Sequence, residues 1–83
     1  MPRARVEFTI EPFADAAPGA HVMAALDAVR ARGHDPDFGP FGSTVEVPAS
    51  LAGTTVRAVV DAAVRSGATR ISIRVELVQE GGG

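Results

Sequence analysis

The sequence predicts an α+β fold in which two helices cover one face of a four-stranded antiparallel sheet. Three stretches alternate apolar with polar residues, as half-buried strands do. Two further stretches repeat apolar residues at helical spacing and end at glycine. The chain has 83 residues and no cysteine, so we expect a single small domain without disulfides.

The first predicted strand runs from Arg5 to Phe13. Its apolar residues occupy every second position and so share one face: Val6, Phe8 and Ile10. Pro12 has no N–H to donate to a neighbouring strand, so strand pairing should stop there. The first helix follows, from about Pro18 to Arg32, and Gly33 stands where a helix ends in the left-handed conformation.

The segment from His34 to Gly42 is rich in turn residues. It holds two prolines and two glycines, which permits only a short or edge strand. Alternation returns from Ser43 to Val47, where Val45 and Val47 share a face, and predicts the third strand.

The second helix is predicted after Pro48. Ser50 or Thr54 can cap its start, and Gly67 ends it. The alternation from Ile71 to Leu77 predicts the fourth strand.

The resulting order of strand, helix, strand, strand, helix and strand (βαββαβ) is that of the ferredoxin-like fold. Right-handed crossovers place the first and third strands in the centre of the sheet, and the fourth and second at its edges. We expect residues 3–79 to form a single domain and residues 80–83 a flexible tail.

Charge and hydropathy limit the partners that this chain is expected to have. The formal net charge is −2, which provides no basic field for phosphates, so no nucleic acid is expected. No stretch approaches the roughly 20 apolar residues of a membrane span, and we expect a cytoplasmic protein with no membrane partner. Because a domain of this size buries little surface, we expect a homodimer or homotetramer.

The sheet face turned away from the helices should be polar. Its predicted side chains are mostly carboxylates and hydroxyls: Glu7, Thr9, Glu11, Thr44, Glu46, Ser72, Arg74 and Glu76. Carboxylates on neighbouring central strands repel one another unless a cation or a donor relieves them. Two interpretations remain open, a solvated face or subunit contact, and a site for a cationic or donor-rich ligand.

No catalytic or metal-binding pattern stands out. His21 and His34 lie at a helix start and in a loop, with no serine or cysteine pattern around them. The spacing of His34, Asp35 and Asp37 matches no familiar metal site. Acylphosphatases share this topology but grip phosphate with an arginine after the first strand, and the segment Phe13 to Gly19 contains none. We therefore expect neither an enzyme nor a cofactor.

The chain resembles a known family most closely in the hairpin that leads into the third strand. The first strand ends in Pro12-Phe13, and the run from Gly39 to Glu46 reads Gly-Pro-Phe-Gly-Ser-Thr-Val-Glu. With its last helix and strand, the chain resembles the thiamine/hydroxymethylpyrimidine-binding protein family over nearly its whole length. This resemblance implies an oligomeric ferredoxin-like domain that binds thiamine or its pyrimidine moiety without catalysis, as a carrier, buffer or sensor.

The resemblance also implies a ligand site around the hairpin. Thiamine joins an aminopyrimidine to a cationic thiazolium ring, so its site needs carboxylates, hydroxyls and an aromatic wall. In this hypothesis Glu46, Ser43 and Thr44 hold the pyrimidine, Glu11 balances the thiazolium charge, and phenylalanines close the sides. The full predicted set is Thr9, Glu11, Phe13, Phe41, Gly42, Ser43, Thr44 and Glu46.

Several alternatives stay open from the sequence. The domain is also consistent with a regulatory oligomer for another metabolite, such as an amino acid, or with an interaction module whose open sheet face contacts a protein. An enzyme subunit is the third alternative. The sequence does not distinguish thiamine from its phosphates or from hydroxymethylpyrimidine, nor a site within one chain from one shared between subunits.

Overall fold

A computed structural model describes residues 2–12, 19–39 and 42–78. Its elements follow the predicted order: β1 (Arg3–Glu11), α1 (Ala20–Ala31), β2 (Asp37–Gly39), β3 (Gly42–Pro48), α2 (Ala52–Arg65) and β4 (Arg70–Val78). The predicted site residues Phe13 and Phe41 and the predicted tail at 80–83 lie outside the described residues. Neither described helix has the length and apolar character needed to cross a membrane.

The four strands form one antiparallel sheet in the order β2-β3-β1-β4. This order confirms the predicted ferredoxin-like topology, with β1 and β3 in the centre. β1 pairs along its whole length with β4, from Arg3 opposite Val78 to Glu11 opposite Arg70. It pairs with β3 over a shorter stretch that ends at Phe8 opposite Ser43.

The core lies between the sheet and the two helices. Every second residue of β1, from Ala4 to Ile10, is at most 2% exposed. The core cluster of sheet and helix residues consists of Ala4, Val6, Phe8, Ile10, Val22, Ala25, Leu26, Val29, Val45, Val47, Val59 and Ala63. Burying each large aliphatic side chain contributes about 1.5–3 kcal/mol. Because the apolar residues of β1 and β3 face one way, the opposite face of the sheet is left open.

Both helices end as predicted, at a glycine in the left-handed region. Gly33 has φ +86 and Gly67 has φ +95. After α1, the amide of His34 donates to the carbonyl of Val29, and after α2 the amide of Ala68 donates to that of Ala63. These bonds satisfy carbonyls that would otherwise lack a partner at the helix ends.

The start of α2 differs from the prediction. A single 3-10 turn at Ala49–Leu51 leads into the helix, and Leu51 occupies the capping position without a side-chain hydrogen bond. The hydroxyls of Thr54 and Thr55 donate to the Leu51 carbonyl, at 3.0 and 2.8 Å. The predicted cap by Ser50 or Thr54 is therefore wrong, because the Thr54 hydroxyl bonds to a carbonyl and not to the amides of the first turn.

Candidate functional site

On the open face of the sheet, side chains of opposite charge on neighbouring strands form ion pairs. Arg5 lies 3.8 Å from Glu46 on β3 and 3.3 Å from Glu76 on β4. Glu7 lies 3.9 Å from Arg74. We call these pairs the charge ladder. They are half exposed, so each contributes at most about 1 kcal/mol to stability.

The charge ladder changes the interpretation of the carboxylates on this face. The sequence left open that they await a cationic ligand, but each of them already lies within 4.0 Å of an arginine on β1 or β4. At the far end of β1, Glu11 lies 4.0 Å from Arg70. Repulsion between carboxylates therefore gives no evidence for a ligand.

One pair of facing side chains on β1 and β4 carries no charge. Thr9 on β1 lies opposite Ser72 on β4, and Thr44 lies opposite Glu7 in the neighbouring row. Together with Glu7 and Arg74 these hydroxyl residues line an open cleft, which we call the hydroxyl cleft.

Two glycines, Gly39 and Gly42, line the hydroxyl cleft together with Thr9. Gly42 has φ +151, a conformation that side chains rarely adopt. A β-carbon there would lie 2.9 Å from Cγ2 of Thr9 and 3.2 Å from the carbonyl oxygen of Phe8. One on Gly39 would lie 3.2 Å from the carbonyl oxygen of Gly42. Glycine at these two positions therefore avoids close contacts of a β-carbon with Thr9 and with the Gly42 carbonyl oxygen.

The chemistry of the cleft suits binding. Threonine and serine hydroxyls both donate and accept hydrogen bonds, Glu7 accepts them and Arg74 donates them. Within the described residues, no cluster of three or more histidine or acidic side chains is placed to hold a metal ion. His21 is buried, and its Nε2 lies 2.6 Å from the carbonyl oxygen of Pro12, which ties the start of α1 to the end of β1.

The structure brings together part of the predicted site. Thr9, Gly42 and Thr44 all line the hydroxyl cleft. Ser43 borders it but is only 2% exposed, and it alternates with Thr44 so that it shares the helix-facing side with Val45. A shared role for the hydroxyls of Ser43 and Thr44 does not fit this geometry, because neighbouring strand residues point to opposite faces.

The two predicted glutamates lie at opposite ends of the sheet. Glu46 lies opposite Arg5, and Glu11 lies opposite Arg70. Six residues of β1 separate positions 5 and 11, or about 20 Å. Glu46 instead borders a second depression, with His34. The hypothesis that Glu46 and Glu11 hold the two ends of one thiamine does not fit a site within a single chain.

Among the polar residues and glycines that line the cleft, four were absent from the predicted site: Glu7, Gly39, Ser72 and Arg74. Three of them were correctly predicted to face away from the helices. The missing information was the strand register, which brings Ser72 beside Thr9 and Arg74 beside Glu7.

Comparison with known proteins finds solved structures with a similar fold. No protein-family profile matches the chain, and no curated protein is similar to it in sequence. A domain of unknown function, DUF77, from Bacillus cereus is 18% identical, with a TM-score of 0.66 over 96% of this chain and 78% of the other. A hypothetical protein from Methanocaldococcus jannascii is 12% identical, with a TM-score of 0.69 over 100% of this chain and 86% of the other.

A third solved structure with a similar fold is named for thiamine metabolism. It is a Thermotoga maritima protein described as a "putative thiamine biosynthesis/salvage protein", and it is 18% identical. Its TM-score is 0.67 over 98% of this chain and 87% of the other. At such identities the likeness shows the ferredoxin-like fold, which this chain shares with a DUF77 domain and with a protein named for thiamine metabolism.

Proposed function

We propose that this protein binds thiamine or its hydroxymethylpyrimidine moiety reversibly in the hydroxyl cleft, as a non-catalytic carrier, buffer or sensor in the cytoplasm. The observation that carries the proposal is the convergence of Thr9, Thr44 and Ser72 beside Glu7, in a cleft that two glycines also line. The hairpin resemblance and the fold shared with the Thermotoga maritima protein favour thiamine over other small polar ligands.

The groups of the cleft complement those of the ligand. The aminopyrimidine ring has one exocyclic amine and ring nitrogens that accept hydrogen bonds. Glu7 accepts from the amine, and the hydroxyls of Thr9 and Ser72 donate to the ring nitrogens. The 3.9 Å separation from Arg74 leaves Glu7 free to take a further donor.

The charge of the cleft favours the unphosphorylated ligand. Arg74, the cation among the described residues that line the cleft, is already paired with Glu7. A phosphate ester would have to compete with that carboxylate for the guanidinium group. We therefore expect thiamine and hydroxymethylpyrimidine to bind more tightly than thiamine phosphate.

Calorimetric titration of the full chain with thiamine, hydroxymethylpyrimidine and thiamine phosphate tests the proposal. Glu7→Gln should weaken thiamine binding about 10- to 150-fold, because a hydrogen bond to a charged group contributes about 1.5–3 kcal/mol. Glu46→Gln is the matched control, since Glu46 also lies on the open face and pairs with arginine. It should leave the affinity unchanged.

The results with the two variants distinguish a ligand site in the hydroxyl cleft from a site beside Glu46 and from no thiamine site at all. A loss of affinity with Glu46→Gln, and none with Glu7→Gln, would place the ligand where the hairpin motif alone predicted it. No binding of any of the three compounds would favour an interaction module that contacts another metabolite or a protein through the charge ladder.

A further inference from the structure

The depression that Glu46 borders, at the end of the open face where β1 begins, is lined by charges that lack a partner. We call it the second depression, and its acidic residues and arginine are Arg3, Asp35, Asp37 and Glu46. Glu46 pairs with Arg5 at 3.8 Å. Within the described residues no ion pair includes Arg3, Asp35 or Asp37. One guanidinium group and two carboxylates therefore line the same concave surface without pairing with one another.

Strand register keeps Arg3 and Asp37 apart. Asp37 lies opposite Thr44 on β3, and Thr44 lies opposite Glu7 on β1. Because Arg3 comes four residues before Glu7, it lies about 13 Å from the row of Asp37 along the strands and two strand spacings, or about 9.5 Å, across them. The two charged groups do not meet, but a ligand between them in the depression can contact both.

The loop that carries the two aspartates is held at both ends. At its start the amide of His34 donates to the carbonyl oxygen of Val29, at 3.3 Å. Pro36, between the two aspartates, is buried. At the end of the loop Asp37 begins the pairing of β2 with β3. The carboxylates are therefore already positioned, and binding a ligand costs little ordering of the loop.

These charges indicate the chemistry of a ligand. Besides the pair of Glu46 with Arg5, two carboxylates and one guanidinium group give the second depression a formal net charge of −1 with His34 neutral. Carboxylates accept hydrogen bonds from ammonium groups, and a guanidinium group donates to a carboxylate. A complementary ligand therefore has a net positive charge, with a carboxylate at one end and an ammonium group at the other. A free basic amino acid such as lysine has this composition.

We propose that the second depression binds a free basic amino acid. The ligand's carboxylate contacts Arg3, and its side-chain ammonium group contacts Asp35 and Asp37. Its α-ammonium group offsets the negative charge that remains. The length of the lysine side chain matters here, because the groups that it connects lie on different strands and do not reach each other.

The second depression is separate from the hydroxyl cleft in its charges. Thr44 lines both. Glu7 and Arg74 line only the hydroxyl cleft, whereas Arg3 and Asp37 line only the second depression. This proposal therefore goes beyond thiamine binding and does not depend on it.

Titration of the isotope-labelled full chain with L-lysine, followed by amide chemical shifts, tests the proposal. Saturable shifts should be concentrated at residues 3 and 33–37. Two analogues each lack one group: cadaverine lacks the carboxylate, and ε-aminocaproate lacks the α-ammonium group. Each should bind about fivefold more weakly than lysine, as expected for the loss of one solvent-exposed charge interaction.

Two variants separate the ends of the ligand. Arg3→Gln should weaken lysine binding about fivefold but should not weaken cadaverine binding, because cadaverine has no carboxylate for Arg3 to hold. Asp37→Asn should weaken the binding of both. Arg57→Gln and Asp61→Asn are the matched controls, since these residues pair with each other on α2, outside the depression. Both controls should leave the two affinities unchanged.

Each contrary result overturns the proposal. An absence of saturable shifts with lysine would exclude the site. Equal losses of lysine and cadaverine affinity with Arg3→Gln would show that Arg3 does not hold the carboxylate. Losses with Arg57→Gln or Asp61→Asn as large as those with the depression variants would show attraction to the charge of the whole chain and no specific site. Because no thiamine is present in this titration, none of these results tests the proposed function.

Discussion

Replacing Gly42 with alanine should destabilise the fold by about 2–6 kcal/mol. At φ +151 the backbone strain of a non-glycine residue costs about 1–3 kcal/mol. The new β-carbon would lie 2.9 Å from Cγ2 of Thr9 and 3.2 Å from the Phe8 carbonyl oxygen, and overpacking of this kind costs about 1–3 kcal/mol. A domain of this length has only about 4–12 kcal/mol of stability in total.

Thermal and urea unfolding followed by circular dichroism measure this effect. Since 1 kcal/mol shifts the melting temperature of a small domain by about 4–8 °C, the Gly42→Ala variant should melt at least about 8 °C below the wild type. It should also bind thiamine more weakly, because the added methyl group pushes Thr9 into the hydroxyl cleft.

Two other glycines serve as matched controls. Gly33 has φ +86, but nothing lies within 4 Å of the position that a β-carbon would occupy there, so Gly33→Ala reports backbone strain alone. Gly53 lies in the first turn of α2 with open space around it, and Gly53→Ala should stabilise the fold by about 0.5–1 kcal/mol. Equal losses for Gly42→Ala and Gly33→Ala would refute the idea that the Gly42 backbone is closely packed against Thr9.

The remaining predictions concern the core and the ion pair at the end of β1. Leu26→Ala should cost about 2–5 kcal/mol in urea unfolding, because this side chain is 2% exposed in the core; a smaller loss would mean that the core can close around the cavity. Arg70→Ala should change stability by less than about 1 kcal/mol, since its pair with Glu11 is exposed and 4.0 Å long. A larger change would show that the ion pairs of the open face act as a coupled network.

The fold could be predicted from the sequence because its signals are local. The alternation of Val6, Phe8 and Ile10 determined which face of β1 is buried. The glycines at 33 and 67 marked the helix ends, because left-handed backbone is accessible to glycine at little cost. Neither inference required knowledge of which strands are neighbours.

The site could be predicted only in part because it depends on strand register. Shifting one strand by two residues keeps every side chain on the same face but changes its neighbours. Alternation alone therefore could not tell whether Thr44 or Glu46 lies opposite Glu7. The position of Ser43 did follow from alternation, since it shares its face with Val45 and Val47.

The start of α2 shows a second limit of local signals. Ser50 and Thr54 both belong to residue types that cap helices. In the structure the Thr54 hydroxyl bonds to the Leu51 carbonyl, a competing local bond that serine and threonine make readily. Which of the two bonds forms depends on the preceding 3-10 turn, and residue type does not specify that turn.

The most direct test of the central claim is a titration of isotope-labelled protein with hydroxymethylpyrimidine and thiamine, followed by amide chemical shifts. The hydroxyl cleft predicts saturable shifts concentrated at residues 7–9, 42–44 and 72–74. Shifts centred on Glu46 and His34, or on Glu11, would contradict the location of the site. No shifts with either compound would contradict thiamine binding itself.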